Sequence, residues 1–323
     1  MRATFHERQY ELAVNLELIG GSGNFFAPTQ QVEEGLGYDI ALVPGEAAIW
    51  SALGLPVPPT GVETPIAYDA SGQPISGGQT FAASLFIQYK RPEHMIRRSA
   101  RETRPRQARG GSVPFFRVRL NADQHDVLID LERRVGADAV VRYGAPLFHE
   151  IEDLWVRQAT RGVFSASSFI PPSRAGNPPA CWTYDEQGTS IFCSEPRFEE
   201  AERRDDVLRA IVQVARERES ERTSHLRALA SEVGEIDLTP RHRRRRIDDT
   251  YREARDSEDR HLEWVRPPLP RAEWLDRLQE VFVERPEEAI GQAVDAAVVA
   301  NAAASIGLTW FLAEVRARSE PTR

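Results

Sequence analysis

The sequence is almost without lysine. Of its 41 basic residues, 40 are arginine and Lys90 is the only lysine. A GC-rich genome produces such a bias, because arginine codons replace lysine codons wherever either cation serves. The two side chains are not interchangeable, however, since lysine carries a compact ammonium with an adaptable pKa and arginine a planar, permanently charged guanidinium. Lys90 is therefore either a leftover or a position whose chemistry requires lysine.

Other features that the sequence lacks exclude several classes of protein. Two cysteines, Cys181 and Cys193, are too few for a disulfide framework or a four-cysteine zinc site. The N-terminus has no apolar segment of the kind found in secretory signals, so we expect a cytoplasmic protein. The most apolar window, residues 296–313, contains seven alanines and predicts a buried or subunit-pairing helix rather than a membrane span.

The charge balance limits the kind of partner. The net charge of −8 argues against a wholly basic nucleic-acid coat protein but is compatible with a local basic groove. Such a groove is indicated by residues 91–109, which contain seven arginines against two glutamates.

The chain changes character near residue 195. Residues 1–194 alternate between strand and helix patterns, with an irregular, Pro- and Gly-rich insertion at about 44–80. Residues 195–323 have an almost entirely helical pattern and predict a helical domain or arm. We expect this C-terminal region to serve protein partners or homo-oligomerisation.

Alternating elements in the first region predict an α/β fold, a mixed sheet flanked by helices. Alternating apolar residues predict a strand over 9–18, and a mainly apolar run predicts another over 81–89. A helix is predicted over 122–135, capped by Asn121, and a further strand over 137–143.

Polar residues at three points suggest a catalytic site. Glu33 and Glu34 lie at the end of a predicted acidic helix, and Asp39 lies near the start of the following strand. Gln88 and Lys90 end the strand over 81–89, and the period of two places them on the same side.

These residue types suit phosphodiester hydrolysis. Mg²⁺ or Mn²⁺ takes oxygen ligands, which Asp39, Gln88 and either Glu33 or Glu34 can supply. The ammonium of Lys90 would stabilise charge in the transition state. The arginines that follow would bind the phosphate backbone. They are Arg91, Arg97, Arg98 and Arg101.

This pattern resembles the PD-(D/E)xK, or restriction-endonuclease-like, nuclease superfamily in its QxK variant. Gln88-Tyr89-Lys90 matches the QxK element, Asp39 the strand aspartate and Glu33 or Glu34 the helix acid. The resemblance covers roughly residues 9–170. It implies a Mg²⁺-dependent endonuclease that cleaves DNA, with RNA left open as a substrate, and a bacterial role in restriction or phage defence.

Two departures keep a second hypothesis open. The 48 residues between Asp39 and Gln88 exceed the tight hairpin usual in the family, and glutamine in place of glutamate removes one charge from the metal site. The alternative is a catalytically inactive nuclease-like or unrelated α/β subunit that recognises nucleic acid, or serves as a structural component, within a larger complex.

Overall fold

A computed structural model gives the fold of the chain. It describes residues 1–19, 25–26, 41–42, 62–66, 80–96, 114–175, 181–192, 198–234, 236, 291–292, 294–296, 298–299, 302–303, 306 and 308–316. These residues form a mixed α/β structure with two five-stranded sheets and flanking helices.

The elements are named in chain order. The α-helices among the described residues are α1 (Glu7–Ile19), α2 (Ala122–Val135), α3 (Ile151–Ala159), α4 (Arg204–Arg218) and α5 (Arg222–Gly234), with further α-helical positions between 291 and 303. The strands are β1 (Phe25–Phe26), β2 (Ala41–Leu42), β3 (Val62–Ile66), β4 (Thr80–Tyr89), β5 (Glu93–Met95), β6 (Phe115–Arg119), β7 (Ala139–Pro146), β8 (Ser167–Ile170), β9 (Cys181–Tyr184), β10 (Thr189–Phe192), β11 (Phe198–Glu200) and β12 (Thr309–Arg316).

The first sheet has the order β3-β12-β4-β7-β8. Its central strand β4 runs parallel to β7 and antiparallel to β12. A parallel neighbour needs a crossover connection, and α2 forms part of the connection between β4 and β7. The sheet therefore contains a β4–α2–β7 unit, and β4 is the middle strand of the five.

The second sheet is antiparallel throughout, with the order β11-β10-β9-β6-β5. Strands β5 and β6 lie in the chain between β4 and α2, so the crossover passes through this sheet. The two short strands β1 and β2 pair with each other.

Both faces of β4 are buried, as its apolar composition requires. One face carries Ala82 and Phe86, which belong to the same core cluster as Leu128 of α2 and Leu229 of α5. The other face carries the odd-numbered residues of β4 and packs in a second cluster with residues of α1 and α4. The strand is thus enclosed by helices from widely separated parts of the sequence.

Several sequence predictions are confirmed. The mixed α/β class is confirmed, and the predicted strand over 81–89 corresponds to β4. The helix over 122–135 coincides with α2, and the side chain of Asn121 caps it by accepting a hydrogen bond from the backbone N–H of Gln124.

The predicted strand over 9–18 is wrong, because these residues lie within helix α1. The residues that α1 buries most deeply include Tyr10, Ala13 and Val14, whose spacing of three and four residues is helical. The leucines at 12, 16 and 18, which created the appearance of alternation, are only half-buried.

The prediction that residues 195–323 are entirely helical does not hold for the described residues. Strand β11 lies in the second sheet, and β12 lies between β3 and β4 in the first. Each of the two sheets therefore contains residues from both sides of the predicted boundary at 194/195. Helices α4 and α5 pack against the first sheet rather than extending away from it.

The apolar window 296–313, predicted as one buried helix, has two parts. Residues described within 296–303 are helical, and β12 begins at Thr309. Over the part of the chain that the structure describes, none of the helices combines the length and apolar character needed to cross a membrane.

Gly144 in β7 permits close packing beside the end of β4. A Cβ at this position would lie 2.9 Å from Cε1 of Phe169 and 3.2 Å from Cγ2 of Ile87. Both side chains are fully buried. We expect Gly144→Ala to lower the free energy of unfolding by about 1–3 kcal/mol, measured by denaturant titration, because the added methyl overpacks this contact.

Gly234→Ala is the matched control for that substitution. A Cβ at Gly234, the last residue of α5, would meet nothing within 4 Å. We expect its free energy of unfolding to stay within about 0.5 kcal/mol of the parent or to rise slightly. Equal losses for the two variants would contradict the packing described for Gly144.

Candidate functional site

Gln88 and Lys90 meet at the C-terminal end of β4, where both side chains bond to Gln124 of α2. The amide Nε2 of Gln124 donates to Oε1 of Gln88 at 2.5 Å. The ammonium of Lys90 donates to Oε1 of Gln124 at 2.8 Å. The side chain of Gln88 is buried, with 5% of the residue exposed. The three side chains, here called the Gln88–Lys90–Gln124 cluster, thus form one continuous network.

Helix capping places Gln124 in this cluster. Asn121 is the N-cap of α2, so Gln124 occupies the third helical position, and its backbone N–H lies 3.3 Å from Oδ1 of Asn121. The amide Nε2 of Gln124 also donates to the backbone carbonyl of Ile306 at 3.1 Å. The segment that leads into β12 therefore closes one side of the cluster.

The charge of Lys90 is subject to two opposing influences. Burial lowers the pKa of Lys90, because the ammonium loses hydration on entering the protein. The carboxylate of Glu7 in the first turn of α1 acts in the opposite direction and favours the charged form. Glu7 is held in place by its own bond, since its Oε2 accepts the backbone N–H of Arg91 at 2.9 Å.

The opposite side of β4 anchors helix α1. The hydroxyl of Tyr89 donates to Oδ1 of Asn15 at 2.7 Å, and its ring meets Tyr10 edge-on at 5.5 Å between centroids. Burial raises the pKa of Tyr89 far above its usual value, so the phenol stays neutral. A further bond joins Thr309 of β12 to Glu11 of α1. These contacts fix α1 against β4 and β12 and so place Glu7 close to Lys90.

A second polar network lies deeper on the face of β4 that carries Gln88. Nε2 of His225 on α5 and Oγ of Ser84 are 2.8 Å apart, and Nε1 of Trp310 donates to the same hydroxyl at 3.1 Å. Burial lowers the pKa of His225 to about 4, so the imidazole is neutral at neutral pH. We interpret this network as a structural link between α5, β4 and β12.

The cluster offers oxygen atoms and one cation to a ligand. The Oε1 of Gln88 already accepts one hydrogen bond, and an amide oxygen has a second lone pair. Together with the Glu7 carboxylate this oxygen is of the kind that Mg²⁺ prefers. The described residues contain no group of three or more His, Cys, Asp or Glu side chains able to hold a metal ion. The metal site predicted from the sequence includes further carboxylates in addition to these two groups.

The acids predicted from the sequence to supply those carboxylates lie outside the described residues. They are Glu33, Glu34 and Asp39. Strand β2 begins two residues after Asp39 and pairs with β1, whereas the neighbours of β4 are β7 and β12. The described pairing therefore places β12, and not β2, on the antiparallel side of the strand that carries Gln88 and Lys90.

Of the predicted phosphate-binding arginines, only Arg91 is described, while Arg97, Arg98 and Arg101 lie outside the described residues. The guanidinium of Arg91 donates through Nη2 to the backbone carbonyl of Ala3. This bond connects the N-terminal segment to the end of β4, so at least one donor of the Arg91 guanidinium stabilises the fold. A role of Arg91 in phosphate binding stays a prediction.

The sequence did not identify Gln124, which belongs to the cluster, or Glu7, which influences the charge of Lys90. Glu7 was not recognised because the sequence pattern of α1 predicts a strand, although Glu7 and Glu11 have the spacing of one helical face. Gln124 had a usable signal, since it lies three residues after the correctly predicted cap Asn121. Nothing local, however, indicated that this turn of α2 would face the end of β4.

The chain matches no protein-family model, and no curated protein or solved structure matches it either.

The only lysine of the chain allows the electrostatic description to be tested directly. Incorporation of ¹³C-labelled lysine gives one side-chain signal, whose chemical shift reports the titration of Lys90. We expect Glu7→Gln to lower the pKa of Lys90, because the carboxylate that favours the ammonium is lost while the burial remains.

Glu152→Gln is the control for Glu7→Gln, since Glu152 also lies in the first turn of a helix but is exposed on α3. We expect it to leave the titration of Lys90 unchanged. A titration of Lys90 that is the same in both variants would show that Glu7 does not influence the ammonium.

Proposed function

We propose that the chain is a metal-dependent endonuclease that hydrolyses phosphodiester bonds in DNA, with a restriction-endonuclease-like core. The observation that carries the proposal is the position of the single lysine. Lys90 lies at the C-terminal end of the central strand, on the same side as Gln88 and within the electrostatic influence of Glu7, in a β4–α2–β7 unit. In open sheets, the crevice outside the carboxyl ends of strands is a common ligand site.

Lys90 supplies the positive charge of the proposed mechanism. An ammonium beside the scissile phosphate stabilises the negative charge that develops on its oxygens in the transition state. Because the cation is partly withdrawn from water, its attraction to a phosphate is screened less than on the open surface. The Glu7 carboxylate opposes the effect of burial on the pKa of Lys90 and favours the charged form of the lysine.

The oxygen ligands of the proposed metal site come from several elements. Gln88 would contribute its amide oxygen and Asp39 and Glu34 (or Glu33) their carboxylates, with Glu7 added from the described geometry. Bound Mg²⁺ or Mn²⁺ would polarise the phosphate and lower the pKa of the attacking water. We propose Arg91, Arg97, Arg98 and Arg101 as contacts to the phosphate backbone, and RNA remains a second candidate substrate.

The proposed cellular setting follows from the resemblance alone. We propose a cytoplasmic bacterial protein that acts in restriction or phage defence, in which the C-terminal region contributes contacts to another copy or to a partner protein. The insertion of β12 into the first sheet means that this region also stabilises the site.

The hydrogen bonding of the cluster also favours a second candidate function. Gln88 and Lys90 are both bonded to Gln124, as expected for a network that holds strands and helices together. A nuclease-like or unrelated α/β subunit that recognises nucleic acid or serves as a structural component, without cleaving it, would retain these contacts. This candidate requires neither a metal nor solvent access to Lys90.

Cleavage assays distinguish the two functions. Supercoiled plasmid and linear DNA are incubated with the parent protein and Mg²⁺ or Mn²⁺, with RNA as a parallel substrate. We expect cleavage that EDTA abolishes. We expect Lys90→Met and Asp39→Asn each to lower the rate by about 100-fold or more, because one stabilising group or ligand is removed.

Arg216→Met serves as the control, since it removes an exposed cation from α4, away from the cluster. It should cleave like the parent. Equal rates for Lys90→Met, Asp39→Asn and the control would show that the site is wrongly assigned. A folded parent that cleaves neither DNA nor RNA would reject the nuclease in favour of the second function.

A further inference from the structure

Resting on the proposed function, we infer that Gln124 is a positioning residue, which orients the ammonium of Lys90 toward the substrate phosphate. Gln124 belongs to α2, 34 residues beyond Lys90 in the chain, and is in direct hydrogen-bond contact with it. It would act through Lys90 and does not itself contact the reacting atoms.

The surroundings of Gln124 determine which end of its amide faces Lys90. The backbone carbonyl of Ile306 can only accept a hydrogen bond, so the NH₂ end of the amide must lie on that side. The same NH₂ group donates to Oε1 of Gln88 at 2.5 Å. Both N–H donors are therefore used, and the amide oxygen is directed toward the ammonium of Lys90.

Two constraints hold the amide in this orientation. The backbone of Gln124 is fixed by the Asn121 cap at the start of α2. The end of its side chain is fixed by the strand residue Gln88 on one side and the segment before β12 on the other. The lysine side chain is flexible and has many rotamers. Its ammonium thus binds an acceptor whose position is set by three elements: the start of α2, strand β4 and the segment before β12.

This arrangement has a consequence for catalysis. One of the three N–H donors of the ammonium is bonded to Gln124, which fixes the directions available to the other two. An ammonium that is oriented before the substrate binds needs no reorganisation during the reaction. The bond to the neutral amide oxygen also stabilises the charged lysine and adds no further negative charge.

The test uses the full chain labelled with ¹³C-lysine, so that Lys90 gives a single signal. Gln124→Met keeps the length of the side chain and removes the acceptor and both donors. We expect it to lower the pKa of Lys90, to increase the mobility of its εCH₂ group measured by ¹³C relaxation, and to lower kcat by about 10- to 100-fold.

Gln124→Glu separates positioning from charge. It keeps an acceptor for Lys90 and raises the pKa of the ammonium, but it removes the donors that bond to Gln88 and to the carbonyl of Ile306. We expect increased mobility of the lysine and a loss of kcat in spite of the retained charge. Parental kcat with a rigid Lys90 in this variant would overturn the inference.

Gln213→Met is the matched control, because it makes the same substitution at an exposed glutamine of α4. It should leave the pKa, the mobility and kcat unchanged. A parental pKa and mobility of Lys90 in Gln124→Met would reject the positioning role even if the parent cleaves DNA. A parent without cleavage, in which Gln124→Met still releases Lys90, would reject the nuclease and retain the contact as a structural one.

Discussion

The ammonium of Lys90 is partly buried at the end of the central strand, and a charge that is withdrawn from water requires compensation from the groups around it. Here the compensation comes from the amide oxygen of Gln124 and the carboxylate of Glu7. Gln124 is in turn bonded to the carbonyl of Ile306. Helix α1, helix α2 and the segment before β12 therefore have to assemble around β4 before the lysine is stabilised.

Strand β4 is buried on both faces and has a polar cluster at its C-terminal end. Its two faces are covered by α2 and α5 on one side and by α1 and α4 on the other. The polar groups within these faces are bonded, as Ser84 is to His225 and Tyr89 is to Asn15. At the C-terminal end of the strand, Gln88, Lys90 and Gln124 form a polar cluster. The carboxyl ends of strands are where α/β sheets commonly bind ligands.

The parts of the fold that could be predicted are those with strong local signals. Helix α2 combines a cap at Asn121 with apolar residues at helical spacing, and β4 is a long apolar strand. Helix α1 was missed because its leucines alternate while its buried residues follow a helical period. The insertion of β12 beside β4 had no local signal, since strands more than 200 residues apart in the chain form the pair. For the same reason, Gln88 and Lys90 could be placed on one side of a strand, but their partners Gln124 and Glu7 could not be identified.

The proposed divalent-metal site lies beside Lys90, so paramagnetic broadening of the single ¹³C-lysine signal by Mn²⁺ tests for it directly. This broadening falls steeply with distance and requires no catalytic activity. We predict that about one equivalent of Mn²⁺ broadens the Lys90 signal beyond detection, that excess Mg²⁺ restores it, and that Asp39→Asn weakens the effect. A Lys90 signal that stays sharp in excess Mn²⁺ would show that no divalent metal binds near the ammonium.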